Sequence, residues 1–430
     1  MEKEEIEGYS IAEAVAEARR CLNCPKPLCR TGCPIENDIP AFNHAVSLGN
    51  FGDAFSIISQ RSNLPAICGR VCPHENQCEG HCVLNKAGKA IHIGKIERFV
   101  ADFEADAKLA KDNKIQKIEG KVAVIGSGPA GLTVAGDLAR KGYEVVVYES
   151  ESEPGGVLLY GIPEFRLPKD VVRRTTKKIE ELGVKYITNT VIGRDLTVDE
   201  LFKDGFDAVF IGTGTALAKS LDLPGKDLTG VIQSNYFLRM VRLYQDGNVE
   251  KTEVPVEEGD NVVVIGAGNV AMDACRTAVR MKAASVTVAY RKTEEFMRAA
   301  KAEYEGAIKD GVSFKWEHAP VEFVGENGRV TGLKCQTPEG EVVLPANKIL
   351  LAIGSRPAAR ILSTTEGIDA DESGYVITRQ RPYGMSTRRG IFAGGDVVHK
   401  PATVVLAMRE AKKVAVGISE FIEAKKLLGE

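Results

Sequence analysis

The spacing of apolar positions changes character along the chain and marks out three zones. Up to about Lys117 the spacing is helical. Asp38 stands where it can cap a helix carrying Phe42, Ala45 and Val46, and Phe51, Phe55 and Ile58 form the stripe of another. The stretch from Ile91 to Leu109 keeps the same rhythm. The second zone opens on Lys121-Val-Ala-Val-Ile-Gly126, which predicts a buried strand that breaks into glycine. Val145 to Glu149 predicts the next strand, so strand, glycine turn, helix and strand make a βαβ unit. From about Gly259 the pattern restarts with a strand from Asn261 into Gly266-Ala-Gly268 and another from Ser285, which is an internal repeat of the whole unit. Two further runs, Ala208 to Gly214 and Lys348 to Gly354, predict strands that end in glycine turns. The tail from Gly390 to Ile418 predicts a strand, a glycine-aspartate turn and a helix.

Composition narrows the classes. With 430 residues the chain exceeds a single hydrophobic core, and 44% hydrophobic with 27% charged residues is ordinary globular composition. A net charge of -3 supplies no broad cationic field, so nucleic acid and anionic membrane are poor partners. The start, Met1 to Ile6, is acidic where a secretion signal is basic and then apolar, and no apolar run reaches membrane-spanning length; a cytoplasmic protein is expected.

The glycine turns carry the first chemistry. In Gly126-Ser127-Gly128-Pro129-Ala130-Gly131, Gly126 makes the turn, Gly128 lets a pyrophosphate approach the backbone and Gly131 lets helix and strand pack closely. Bare amides at the helix start would hold the phosphates, and Glu149, ~20 residues on, would accept from the ribose hydroxyls of the dinucleotide. The second turn, Gly266-Ala-Gly268-Asn269-Val270-Ala271, lacks an acidic partner and is followed after its strand by Arg291 and Lys292. Those cations suit a 2'-phosphate and favour NADPH over NADH, the bland alternative being solvated charges at a strand end. Two such turns with a further one at Gly394-Gly395-Asp396 predict one bound flavin and one exchanging nicotinamide. A flavin performs hydride chemistry itself, so no protein nucleophile is needed, and none of the six histidines is assigned a role.

Eight of the ten cysteines fall in the first 82 residues, as Cys21-x2-Cys24-x4-Cys29-x3-Cys33-Pro34 and Cys68-x3-Cys72-Pro73-x4-Cys78-x3-Cys82. Disulfides are disfavoured because nothing routes the chain to an oxidising compartment. Runs of this kind hold cubane iron-sulfur clusters, with the last cysteine often serving the other cluster. Zinc is the rival, although its sites usually show paired Cys-x2-Cys knuckles and only one stands here. Cys275 and Cys335 stand apart and are expected in the core.

Taken together, the eight-cysteine pattern, the two glycine turns, Pro154-Gly-Gly-Val157, Gly161-Ile-Pro-Glu-Phe-Arg-Leu-Pro168, Tyr290-Arg-Lys292 and Gly394-Gly-Asp396 resemble the small subunit of bacterial glutamate synthase and the equivalent N-terminal half of dihydropyrimidine dehydrogenase. The likeness covers essentially the whole chain. It implies an α/β fold: an N-terminal all-α iron-sulfur domain at 1–118, a discontinuous Rossmann-like FAD domain at 119–230 and 355–430, and an inserted NAD(P)H domain at 231–354. It also implies one 4Fe-4S cluster on Cys21, Cys24, Cys29 and Cys82, and a second on Cys33, Cys72, Cys78 and Glu97, leaving Cys68 as a structural thiol. Gly156, Arg166, Val191, Gly214, Gly395, Asp396 and Thr403 would join the first turn around FAD, and Arg298, Ala352 and Gly354 the second around NADPH.

The implied activity is oxidation of NADPH at FAD, with single electrons relayed through two clusters to a partner subunit or ferredoxin. Readings left open are an electron-bifurcating transhydrogenase subunit, a stand-alone flavin reductase with a zinc domain, and a non-catalytic scaffold.

Overall fold

A computed structural model describes residues 4–107 and 115–429; the end of the Ile91 to Leu109 stretch lies outside them. The chain divides into two compact units, one built from 1–159, 164–216 and 356–430, the other from 160–163 and 217–355.

The first unit begins with helices. Ser10 and Glu13 close a capping box that starts helix Ile11–Arg19. The expected helices follow at Ile39–Ser47, Phe51–Ser59 and Ile93–Ala107, and a short one, Pro65–Val71, carries Cys68. Asp38 does stand at the cap of the second helix, yet its side chain bonds no helix amide; the carboxylate pairs with Arg30 at 3.3 Å instead. Ile39, Phe42, Val46, Ile58, Ile96 and Val100 pack into one apolar core with Cys78.

A seven-stranded sheet and further helices form the rest of this unit. Five strands run parallel in the order Ile391–Ala393, Ala208–Ile211, Lys121–Ile125, Glu144–Tyr148, Lys185–Ile187, and two antiparallel strands, Thr378–Gln380 and Tyr383–Ser386, extend one edge. Val122 to Ile125 are buried on both faces, which is why the strand reads as an unbroken apolar run. Strand order reverses at strand Lys121–Ile125, since the next two strands are added on one side and Ala208–Ile211 on the other. Crevices at such reversals are where open α/β sheets bind ligands.

The second unit repeats the plan with five parallel strands in the order Val231–Gln233, Lys348–Leu351, Asn261–Ile265, Ser285–Tyr290, Ser313–Trp316. Cys275 and Cys335 are fully buried here. An antiparallel sheet of Ala319–Glu326, Arg329–Thr337 and Gly340–Pro345 was not anticipated. Its signal was present: Asn327-Gly328 joins the first two strands with φ of 50° and 76°, the pair of positive values that a tight hairpin turn demands.

Inside the first unit an ionic network ties the N-terminal segment to three helices. Arg70 contacts Glu4 and Asp102, both at 2.8 Å; Arg98 reaches Glu4 at 2.9 Å; and Arg174 of helix Lys169–Glu181 pairs with Asp102. Burial acts to raise the Asp102 carboxyl, but hydrogen bonding from Arg70 and the charges of Arg70 and Arg174 override it and hold it below the usual aspartate value of 3.8. A depressed carboxyl stabilises the fold above its unfolded pKa and loses that contribution as pH falls through the folded one. Asp102→Asn is therefore expected to cost about 1–3 kcal/mol at neutral pH, with the gap from the parent closing on acidification below the aspartate range. Thermal melts across pH check this. Among the described residues no helix is long and apolar enough to cross a membrane.

Candidate functional site

The first glycine turn leaves strand Lys121–Ile125 and starts helix Pro129–Arg140, whose N-cap, Gly128, offers no side-chain cap to the first amides. Each glycine has its own constraint. Gly126 has φ of 92°, and a Cβ there would lie 2.8 Å from the Gly212 oxygen. A Cβ on Gly131 would stand 1.9 Å from the Gly126 oxygen, so that position holds helix and strand in contact. A Cβ on Gly128 meets nothing within 4 Å: the space in front of it is a cradle of bare amides.

Most of the residues expected around FAD gather at this turn. Glu149 is buried beside it, its carboxylate accepting from Ser127 N and Oγ at 3.0 and 2.5 Å and from Ser150 Oγ and Glu151 N at 3.0 and 2.9 Å. Ribose hydroxyls would therefore share acceptor positions that the chain already uses. Val191 follows Thr190, whose amide donates to the Glu149 carbonyl at 2.9 Å. Gly156, with φ of 52°, lies so near that a Cβ would be 2.9 Å from Gly128 Cα; a Cβ on Gly395 would be 2.7 Å from Ala130 Cβ. Gly214 follows Gly212 on the adjoining turn. Burial pushes the Asp396 carboxyl up to about 6, a group that hydroxyl donors would suit. Thr403 caps helix Val404–Leu427, accepting from Leu406 N at 3.4 Å. Arg166 sits half-buried on a separate turn, ahead of helix Lys169–Glu181.

In the second unit Gly266, with φ of 123°, packs against the strand end that was expected to matter: a Cβ would be 2.4 Å from the Ala352 oxygen. Gly354 follows two residues on with φ of 95°. Gly268 again faces open space and caps helix Asn269–Arg280, on which Val270 is exposed. The Arg298 and Ala299 amides donate to the Ala267 carbonyl at 3.0 and 3.2 Å, and Asn269 Oδ1 accepts from Ala300 N at 2.9 Å. This brings Arg298 to the turn. Arg291 and Lys292 stand exposed at the end of strand Ser285–Tyr290, and among the described residues none of the three cations has an ion-pair partner. Unpaired cations beside a helix start fit a phosphate.

The eight cysteines form two neighbourhoods that cross the two sequence runs. Cys21, Cys24, Cys29 and Cys82 line one cavity. Burial pushes the Cys29 thiol up to about 11, and Cys21, Cys82 and Cys24 add to the rise. Burial likewise takes Cys33 up to about 11, with Glu97 and Cys68 adding and the Asn37 amide opposing. Cys78 is raised by burial and then by Glu79, Cys33 and Glu97; Cys72 by a hydrogen bond with Cys68, then burial, Glu97 and Cys78. Glu97 is itself buried and pushed up to about 8. Cys33, Cys72, Cys78, Glu97 and Cys68 thus form one linked set. Among the described residues no three His, Cys, Asp or Glu side chains converge at single-ion distance. A cubane places its ligands on separate irons and does not require that convergence.

Cys68 is the one thiol the expected ligand sets omit. It is 2% exposed, and its Sγ lies 3.5 Å from Met408 Sδ on helix Val404–Leu427. No sequence signal links these positions, which are far apart in the chain.

Residues 2–109 match the model of dihydropyrimidine dehydrogenase domain II, 4Fe-4S cluster, and residues 120–411 that of pyridine nucleotide-disulphide oxidoreductase. The chain is 37% identical to the NADPH glutamate synthase small chain of Halomonas elongata over 97% of its own length and 92% of that protein's. It is 36% identical to the Escherichia coli NADPH glutamate synthase small chain over 97% and 93%. A structure of Mycobacterium tuberculosis FprA in complex with NADPH shares the fold with a TM-score of 0.62 at 18% identity, over 73% of this chain and 87% of that one. An oxidoreductase with an N-terminal iron-sulfur domain, this chain belongs to the glutamate synthase small chain family.

Proposed function

We propose that this chain is the electron-input subunit of a larger cytoplasmic enzyme, oxidising NADPH at FAD and passing electrons singly through two 4Fe-4S clusters to a partner such as a glutamate synthase large subunit. The supporting observation is the pair of thiol neighbourhoods in the same compact unit as the first glycine turn, one of them joined through Cys68 to the helix that follows Gly395 and Asp396. When bound, the flavin takes up a hydride and releases electrons one at a time, and each cluster carries one.

The chain's own residues position these groups. The amides from Gly128 onward would hold the FAD pyrophosphate, and Asp396 and Thr403 its ribityl-phosphate side. Cys21, Cys24, Cys29 and Cys82 would ligate one cluster, and Cys33, Cys72, Cys78 and Glu97 the other. We assign 1–118 to the clusters, 119–230 with 355–430 to FAD, and 231–354 to NADPH. Leu22 and Leu28 line the first cavity and are 62% and 51% exposed, so that cluster is the natural exit toward a partner.

Arg291, Lys292 and Arg298 would grip the 2'-phosphate. Arg291→Ala with Lys292→Ala is expected to raise the KM for NADPH by about 10²-fold, since charged hydrogen bonds contribute about 1.5–3 kcal/mol each, and to leave NADH nearly unaffected. Steady-state kinetics with both nucleotides decides it. The overall reading predicts that anaerobically purified protein carries FAD and about eight irons per chain. Tightly bound zinc without iron would refute it.

A further inference from the structure

The cavity lined by Cys21, Cys24, Cys29 and Cys82 has one polar side chain in its wall besides the thiols, Asn43. Asn43 lies on helix Ile39–Ser47, four residues after Ile39 and three before Val46, so it shares their inward face. It is 0% exposed, and neither Oδ1 nor Nδ2 has a hydrogen-bond partner. A buried amide left unpaired is costly, and proteins rarely keep one without a reason. Helices that need only to fill a core place leucine or alanine at such a position. The four thiols that line the same cavity supply what it lacks, because thiolate and sulfide sulfurs accept hydrogen bonds.

Resting on the cluster assignment above, we propose that Asn43 is a positioning residue whose Nδ2–H donates to a sulfur of the cluster held by Cys21, Cys24, Cys29 and Cys82, and so sets that cluster's potential. Which amide atom faces the sulfur is fixed by chemistry, since only the nitrogen can donate. The carbonyl oxygen is the cheaper of the two to leave unsatisfied. A donor aimed at sulfur favours the more negative, reduced cluster, so Asn43 raises the potential. Reduction of the first cluster is thereby favoured over that of the second, and electrons collect where the exposed Leu22 and Leu28 mark an exit.

The test is a reductive titration of the full-length holoprotein followed by electron paramagnetic resonance, comparing the parent with Asn43→Leu and Asn43→Ala. Both variants lack the donor, and the leucine fills the same space. The signal that Cys24→Ala removes should shift to lower potential in both variants by about tenfold in the reduction equilibrium, ~59 mV for a one-electron couple, while the other signal stays put. Unchanged potentials in both variants would overturn the proposal while two cluster signals in the parent keep the ligand assignment intact. A shift confined to the other cluster, or loss of the cluster from both variants, would overturn it equally. A parent protein with no cluster signal would remove the ligand reading itself and this proposal with it.

Discussion

Cys82→Ala is expected to lose the same cluster as Cys24→Ala: iron should fall from about eight to about four per chain in either variant, and the double variant should lose no more than each alone. Cys82 ends the second run and Cys24 lies in the first, so the prediction depends on one cluster being ligated across the two runs. In the fold, helices Ile39–Ser47 and Ile93–Ala107 pack into one core that brings the runs side by side, and Cys82 becomes a neighbour of Cys21, Cys24 and Cys29. Reduction of the partner should drop to background in each variant, whereas NADPH still reduces the flavin. Iron analysis and resonance spectra of the three variants check this; an additive loss in the double variant would assign Cys82 to the other cage.

The second large effect separates two glycines of one turn. Gly131→Ala forces a Cβ to 1.9 Å from the Gly126 oxygen, a backbone atom that cannot step aside. Helix Pro129–Arg140 must leave its strand, at a cost on the order of 4–5 kcal/mol, and FAD is lost with it. Gly128→Ala behaves otherwise. Its φ is -68° and its Cβ meets nothing within 4 Å, so the fold should keep its stability to within about 0.5 kcal/mol. The methyl group would instead enter the space proposed for the FAD pyrophosphate, and FAD affinity should fall on the order of 100-fold, about 2.7 kcal/mol. Melting curves and flavin content distinguish a folding defect from a binding defect. Equal melting points for the two variants would contradict this division of labour.

The contrast also shows why some of the site was legible in the sequence. Gly126, Gly128 and Gly131 act within a few residues of one another, so their spacing alone carries the geometry. The same holds for Gly266 and Gly268, and for the continuous apolar strands that both sheets bury. What distant segments bring together was not legible from spacing. Spacing allowed the last cysteine of a run to serve the other cluster, but the particular set of Cys82 with Cys21, Cys24 and Cys29 came only through family resemblance. The contact of Cys68 with Met408 had no signal at all. Asn43 was invisible for another reason: a polar residue in an amphipathic helix reads as solvent-facing, and only packing shows that it turns inward. The hairpin around Asn327-Gly328 carries a turn signal, but its first strand is mostly half-buried and its second mixes exposed with buried positions, so neither produces a long apolar run.

The proposed relay requires that reducing equivalents entering from NADPH leave the flavin for iron held by the N-terminal thiols. Rapid mixing of the anaerobic holoprotein with one equivalent of NADPH, followed at flavin and iron-sulfur wavelengths and by freeze-quenched resonance spectra, tests it most directly. Flavin bleaching is expected to be followed by the appearance of a reduced cluster signal, which Cys24→Ala and Cys78→Ala each alter. A flavin that stays reduced while both clusters remain oxidised would contradict it.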